Sequence, residues 1–174
     1  MRVPAANMMG EENRGWYVGA TTLDFERSGV TWSASARRSI EELVRYAADT
    51  KGKDGRLIDS DEVRRGLADL RVATEISRLV SYRVVWMQSQ QLIPNYEASM
   101  SKAFGSELGQ RVARFGMQMI GMPGQRIERT DAGAPINGDF GRNYMRTVPA
   151  TIAAGTSEIQ RNIIATRGLG LPRG

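Results

Sequence analysis

Apolar positions in this chain fall into helical stripes, separated by polar breaks that carry glycine and proline. From about residue 16 to 48, Leu23, Ile40, Leu43, Val44 and Ala47 recur at three- and four-residue spacing, the period of one helix face. The small residues Ser33, Ala34, Ser35 and Ala36 predict close packing against another helix, and a bend is expected near Ser28 and Gly29. Residues 49–56 read as a polar loop. Asp59 with Glu62 has the spacing of a capping box, and Val63, Leu67, Leu70, Ala73, Ile76, Val80, Val84 and Met87 then form one stripe. Pro94 disfavours helix at the residue before it and ends that run. Met100, Phe104, Leu108, Val112 and Phe115 mark a third helix over about 96–120. Gly105, Gly109 and Gly116 interrupt it at a propensity cost of about 1 kcal/mol each, which predicts a close neighbour at those points.

Two shorter helices, over about 142–153 and 157–167, follow a long turn-rich connection, with Gly168 as the residue that stops the last one. No strand pattern of any length occurs after Gly15. The pattern predicts an all-α fold, an antiparallel four-helix bundle over residues 16–174. Residues 1–15 have turn residues and no period of their own, and read as the tail of another unit.

Composition narrows the chemistry. The chain has 174 residues, enough for one hydrophobic core. It has no cysteine and no histidine. That removes disulfides, thiolate nucleophiles, Ser-His-Asp triads and most zinc or iron sites, and no metal is expected. Proton transfer must then use Asp, Glu, Tyr, Lys or water. The net charge of +5 is carried mainly by arginine, since lysine occurs only at Lys51, Lys53 and Lys102. Guanidinium groups suit phosphates, whether of nucleic acid, a phosphorylated cofactor or a thioester carrier. The arginines are scattered among acids, which argues against nucleic acid. No apolar run reaches the roughly 18 residues of a membrane span. The first residues lack the apolar centre of a signal peptide, so a cytoplasmic location is expected.

The closing stretch "AGTSEIQRNIIATRGLGLPR" places a glycine, two hydroxyls and a carboxylate at a helix start. Such an end offers free backbone N–H groups and a partial positive charge to an anion. Thr156 and Ser157 can both cap, Ser157 with Gln160 has capping-box spacing, and on the residues alone a well-capped helix is the plainer interpretation. The stretch nevertheless resembles the C-terminal signature of the acyl-CoA dehydrogenases, flavoenzymes that desaturate acyl-CoA thioesters between Cα and Cβ. "VPAANMMGEENRGWYVGATTLDFERSG" is similar to that family's passage from its β-domain into its C-terminal helices, and "QMIGMPG" to its flavin-contacting segment. The order and spacing of the three pieces fit, and they span nearly the whole chain. Family members are about twice this long, so the resemblance makes residues 1–15 the end of the β-domain and a linker, and residues 16–174 the helical bundle.

The resemblance also implies a site. The reaction needs a carboxylate base on the side of the substrate opposite the flavin. Many members carry it just before the Gly-Thr-Ser, where this chain has Ala154. The branch resembling isovaleryl- and long-chain acyl-CoA dehydrogenases instead carries it in a "Leu-Asp-x-Glu-Arg" run, here "LDFER", which makes Glu26 the catalytic base. Taken without the resemblance, Glu26 is a helix carboxylate paired with a nearby arginine. Asp24, Arg27 and Gly155 are implied to contact acyl-CoA. Thr156, Ser157 and Glu158 are implied to contact FAD, with Gln118, Met119, Ile120, Gly121 and Met122 reaching the FAD of the partner subunit. Two departures stand out. Met122 replaces a common glycine, and Arg56 lacks the Phe-Gly that usually completes "Arg-x-x-Phe-Gly", a change that bears on flavin affinity or on the dimer that shares it. The expected partners are acyl-CoA, an electron-transfer flavoprotein-like acceptor, and other subunits in a homo- or hetero-oligomeric dimer of dimers. The alternative is a non-catalytic bundle, an oligomerisation module of a hetero-oligomeric dehydrogenase.

Overall fold

The computed structural model describes residues 2–19, 28–53 and 55–172, and the regular structure among them is helical. Five α-helices lie wholly among the described residues: α1 (Val30–Asp49), α2 (Asp61–Ser89), α3 (Tyr96–Ile120), α4 (Asp139–Ala150) and α5 (Ser157–Ile163). Residues 15–19 are also helical and lead into residues 20–27, so Leu23 and the expected site residues Asp24, Glu26 and Arg27 lie outside the described residues. The break expected near Ser28 and Gly29 is present: Gly29 precedes α1 with φ 73°, a left-handed backbone. The expected end of a β-domain forms no strand. Residues 2–14 are exposed and hold one 3-10 turn, Ala5–Asn7, because an extended segment without a sheet to join has nothing to pair with. Lys51 and Arg56 make an isolated antiparallel bridge across the loop before α2.

Cross-contacts fix the packing. Gly66 meets Phe115 and Arg83 meets Glu97, so α2 and α3 run antiparallel. Ser101 reaches Ser28 and Gly105 abuts Trp32, so α1 runs parallel to α3. Phe140 against Gly116 and Thr147 against Gly109 lay α4 antiparallel along the C-terminal half of α3. Arg161 with Glu107, and Gly168 against Tyr96, continue that line with α5 along the N-terminal half. The bundle's fourth position is therefore one helix in two pieces, α4 and α5, interrupted at residues 151–156. Ile40 and Leu43 of α1, Leu67 and Leu70 of α2, Leu108, Val112 and Ile120 of α3 and Phe140 of α4 form the shared core.

The glycines of α3 behave as close-approach positions at two of three points. A Cβ on Gly105 would lie 2.8 Å from Trp32, and one on Gly116 would lie 2.2 Å from the Phe140 ring, whereas Gly109 has ordinary spacing, 3.6 Å from Thr147. Of the expected buried face of α3, Leu108 and Val112 are buried, Phe104 and Phe115 are half-buried, and Met100 is exposed.

The buried face of α2 agrees with the expected one at Leu67, Leu70, Ala73 and Val84 and departs from it between them. Thr74, Ser77 and Ser81 are also buried, completing a heptad seam, while Ile76 is 46% exposed. Small hydroxyl residues suit the covered side because their groups are satisfied within the helix: Thr74 donates to the Leu70 carbonyl at 2.8 Å and Ser81 to the Ser77 carbonyl at 2.6 Å. The larger apolar residues Val72, Ile76, Leu79, Tyr82 and Trp86 stand exposed on the other side.

Helix ends also differ from the capping pattern. Ser60, not Asp59, is the residue before α2; Asp59 closes the preceding 3-10 turn by accepting from the Arg56 N–H at 3.0 Å. The fourth helix begins at Asp139 and ends at Ala150, with Pro149 in its last turn. Beyond α5 the backbone widens into a π turn, Ile164–Gly168, and the left-handed glycine after it is Gly170 at φ 70°, not Gly168. Among the described residues no helix is long and apolar enough to cross a membrane.

Candidate functional site

The interruption between α4 and α5 is where sequence and structure converge. Pro149 has no N–H to continue the ladder, and the chain turns through Thr151 to Ala154 before α5 restarts. Ala154 and Gly155 both adopt left-handed backbone, at φ 55° and φ 93°. Such a conformation costs a non-glycine residue energy and persists where its surroundings hold it. Three side chains do so. Gln110 donates to the Thr147 carbonyl and to the Thr151 hydroxyl, each at 3.2 Å. Gln160, 1% exposed, donates from Nε2 to the Ala154 carbonyl at 3.1 Å. Lys102 reaches across from α3 and donates from Nζ to the Gly155 carbonyl at 2.6 Å.

Thr156, and not Ser157, caps α5: its Oγ1 accepts from the Ile159 N–H at 3.3 Å. Its hydroxyl also helps, after the backbone N–H of Glu158 itself, to hold the exposed Glu158 carboxyl below the usual carboxylate range. Ser157 is instead buried, and its hydroxyl has no hydrogen-bond partner among the described residues, as is true of Gln160 Oε1. Thr156→Ala is expected to lower unfolding stability by about 1 kcal/mol, the usual cost of a lost cap, which urea unfolding would measure.

The second expected group, Gln118 to Met122, lies at the other end of α3. Sixteen residues separate Lys102 from Gln118, about 24 Å along a helix at 1.5 Å per residue. Within one copy of the chain this group therefore lies well apart from Gly155. Gln118 and Gly121 are exposed, Met122 is 74% exposed, Met119 is half-buried, and the Ile120 side chain belongs to the core. Only the backbone of Ile120 is left to meet a ligand. Because α2 and α3 are antiparallel, this end also carries the Arg56 turn, and Ile58 packs on the same core cluster as Met117 and Met119. The bundle thus presents two separate groups: the interruption loop midway along one side, and Arg56 with Gln118 to Met122 at one end.

Ser28, the first described residue after Gly19, lies close to the first group: its carbonyl accepts from the Ser101 hydroxyl at 3.2 Å, one residue before Lys102. A cleft of about 400 Å³ opens between α1, α3 and α4 against Trp32, Val112 and Phe140, and none of the expected site residues among those described lines it.

Lys102 is the functional candidate that the sequence pattern does not single out. It is 5% exposed, and burial lowers its pKa, opposed by the nearby charges of Glu107 and Glu158. The available signal is its place on a face otherwise made of small and apolar residues, with Ala98, Gly105 and Gly109.

Comparison with known proteins places these groups in context. Residues 13–169 match the family described as acyl-CoA dehydrogenase, C-terminal domain. The acyl-CoA dehydrogenase FadE26 of Mycobacterium tuberculosis is 34% identical over 99% of this chain and 44% of its own length. The chain thus spans less than half the length of that relative. Among solved structures, the ChsE4-ChsE5 complex from Mycobacterium tuberculosis superposes with a TM-score of 0.84 and 34% identity, over 99% of this chain and 45% of the other. The Tcur3481-Tcur3483 steroid ACAD G363A variant superposes with a TM-score of 0.87 and 29% identity, over 99% of this chain and 44% of the other.

Proposed function

Because this chain belongs to the acyl-CoA dehydrogenase C-terminal domain family, we propose that it contributes the helical part of an FAD-dependent enzyme that desaturates an acyl-CoA thioester between Cα and Cβ. The chemistry FAD supplies when bound is acceptance of the hydride from Cβ. The chain's own part is to remove the Cα proton and to hold both molecules. Glu26 takes the proton on its carboxylate, as in the family branch resembling isovaleryl- and long-chain acyl-CoA dehydrogenases. Asp24 and Arg27 flank it and hold the CoA thioester, with Gly155 beside the thioester. Thr156, Ser157 and Glu158 hold FAD at the start of α5. Gln118 to Met122 would help to hold the FAD of a partner subunit, and the partner protein of the whole enzyme would be an electron-transfer flavoprotein-like acceptor.

The observation that carries this function is the interruption loop, with its left-handed Ala154 and Gly155 held by Lys102 and Gln160. An orphaned buried hydroxyl at Ser157 suits a ligand rich in hydrogen-bonding groups, as FAD is. The separation of the two groups along α3 supports a site shared between subunits. Anaerobic addition of acyl-CoA to the flavin-loaded protein is expected to bleach the oxidised flavin band. A flavin-loaded protein whose band no acyl-CoA changes would overturn the proposal.

A second function is favoured by one observation. Arg56 stands without the Phe-Gly that follows it in relatives, and two structures of similar fold carry paired names, ChsE4-ChsE5 and Tcur3481-Tcur3483. The chain would then be the bundle of a non-catalytic or half-site subunit in a hetero-oligomer. Flavin content separates the two: the enzyme binds FAD by itself, and the half-site subunit gains it only with its partner.

A further inference from the structure

Lys102 carries a charge in a place where charge is costly, and it donates a hydrogen bond to a backbone carbonyl. The side chain is 5% exposed, and its ammonium lies 2.6 Å from the Gly155 oxygen. Burying an ammonium without a close carboxylate partner costs free energy that a neutral side chain would avoid. Glu107, the nearer acid on α3, is engaged by Arg161 at 2.6 Å. The ammonium is therefore directed at the loop.

What it holds there is a peptide plane. The chain has no cis peptide bond among its described residues, so the Gly155 carbonyl and the Thr156 N–H point in opposite directions. With the carbonyl turned inward to Lys102, the Thr156 N–H faces away from α3. Gln160 Nε2 lies 3.4 Å from the same oxygen and 3.1 Å from that of Ala154, so two donors from two helices fix one turn. A cation on the oxygen also polarises the peptide and strengthens its N–H as a donor.

We propose that Lys102 is a positioning residue for the cofactor: through the Gly155 carbonyl it keeps the Thr156 N–H turned outward, toward the phosphate-bearing part of FAD. This rests on the dehydrogenase function proposed above, which places FAD at Thr156 to Glu158.

Lys102→Met keeps length and apolar bulk and removes the donor and the charge; Lys102→Arg restores both. Two measurements, one starting from the apoprotein and one on the flavin-loaded protein, separate positioning from general stability. One is the FAD dissociation constant by titration of the apoprotein. The other is amide hydrogen exchange over residues 154–158 compared with α2. The expected result for K102M is FAD binding weakened about tenfold or more, with exchange accelerated at 154–158 and unchanged in α2. K102R is expected to bind FAD within about threefold of the unaltered protein. FAD affinity unchanged in K102M overturns the proposal, as does exchange accelerated equally in α2, which would make the lysine a general stabiliser. An unaltered protein that takes up no FAD overturns the dehydrogenase function instead; exchange at 154–158 in K102M then tests the clamp by itself, and no change there refutes it too.

Discussion

Glu26→Gln is expected to leave FAD bound and its oxidised spectrum intact while acyl-CoA no longer bleaches it. Glutamine keeps the size and hydrogen-bonding capacity of the side chain and removes its ability to take a proton. Loss of a positioned general base costs about 10²–10⁴ in rate, and with no histidine or cysteine in the chain there is no alternative base of those types. Stopped-flow absorbance at saturating acyl-CoA gives the rate directly. Bleaching at a near-unaltered rate would remove Glu26 from its role. A companion variant sharpens the result. Ala154 stands where many relatives carry the base, and it already adopts left-handed backbone at φ 55° with its side chain exposed. Ala154→Glu therefore adds a carboxylate with no new backbone conformation. In the Glu26→Gln background it is expected to restore part of the lost rate, which would show that the two positions address the same proton.

Phe140→Ala is expected to have the largest effect on stability, about 3–5 kcal/mol, the range for removing a buried aromatic ring. Phe140 is 1% exposed and fills the space left by the missing side chain of Gly116, where a Cβ would fall 2.2 Å from the ring. Domains of this kind are stable by only about 5–15 kcal/mol, so the variant would lie near the edge of folding at room temperature. The ring also anchors the first turn of α4 and hence the path to the interruption loop. Gly116→Val alone is expected to be destabilising, because the added methyl groups meet the ring. In the double variant the valine occupies part of the vacated space. Its loss should be smaller than the sum of the single losses, a coupling that a urea-unfolding cycle measures. Additive losses would mean that Phe140 and Gly116 do not share the space.

The parts of this fold that are legible in the sequence are those fixed by local rules. The third helix has its expected bounds: it starts after Asn95 and ends at Gly121, at φ 72°, while the preceding helix stops at Ser89, just before left-handed Gln91 and ahead of Pro94. The buried face of α2 is legible in part: Leu67, Leu70, Ala73 and Val84 are buried as the stripe predicts, but apolar size is a poor guide where two helices pack closely. Ile76 and Leu79 are exposed, yet the covered side holds Ser77 and Ser81, and the Ser81 hydroxyl donates to the Ser77 carbonyl within the helix. The Gly-Thr-Ser-Glu motif announces a helix start, whereas the identity of the cap depends on a single peptide rotation that assigns it to Thr156 and sends Ser157 inward. Lys102 is invisible as a site residue because its partner is a backbone carbonyl 53 residues away, and no spacing rule connects them.

The two ends of α3 have a genetic meaning. If each flavin site draws its base and loop from one chain and its Arg56 and Gln118 groups from another, a lesion at either end spoils a different half of the site. Two inactive variants, one altered at Glu26 and one at Gln118, would then be complementary when assembled together. In a two-fold dimer of one copy of each, both lesions converge on the same site and the other site is whole. Random pairing of equal amounts leaves about a quarter of all sites intact. The stretch of α3 from Lys102 to Gln118, about 24 Å, thus turns what would be a single locus of function into two that can be inherited separately and recombined in the assembled protein.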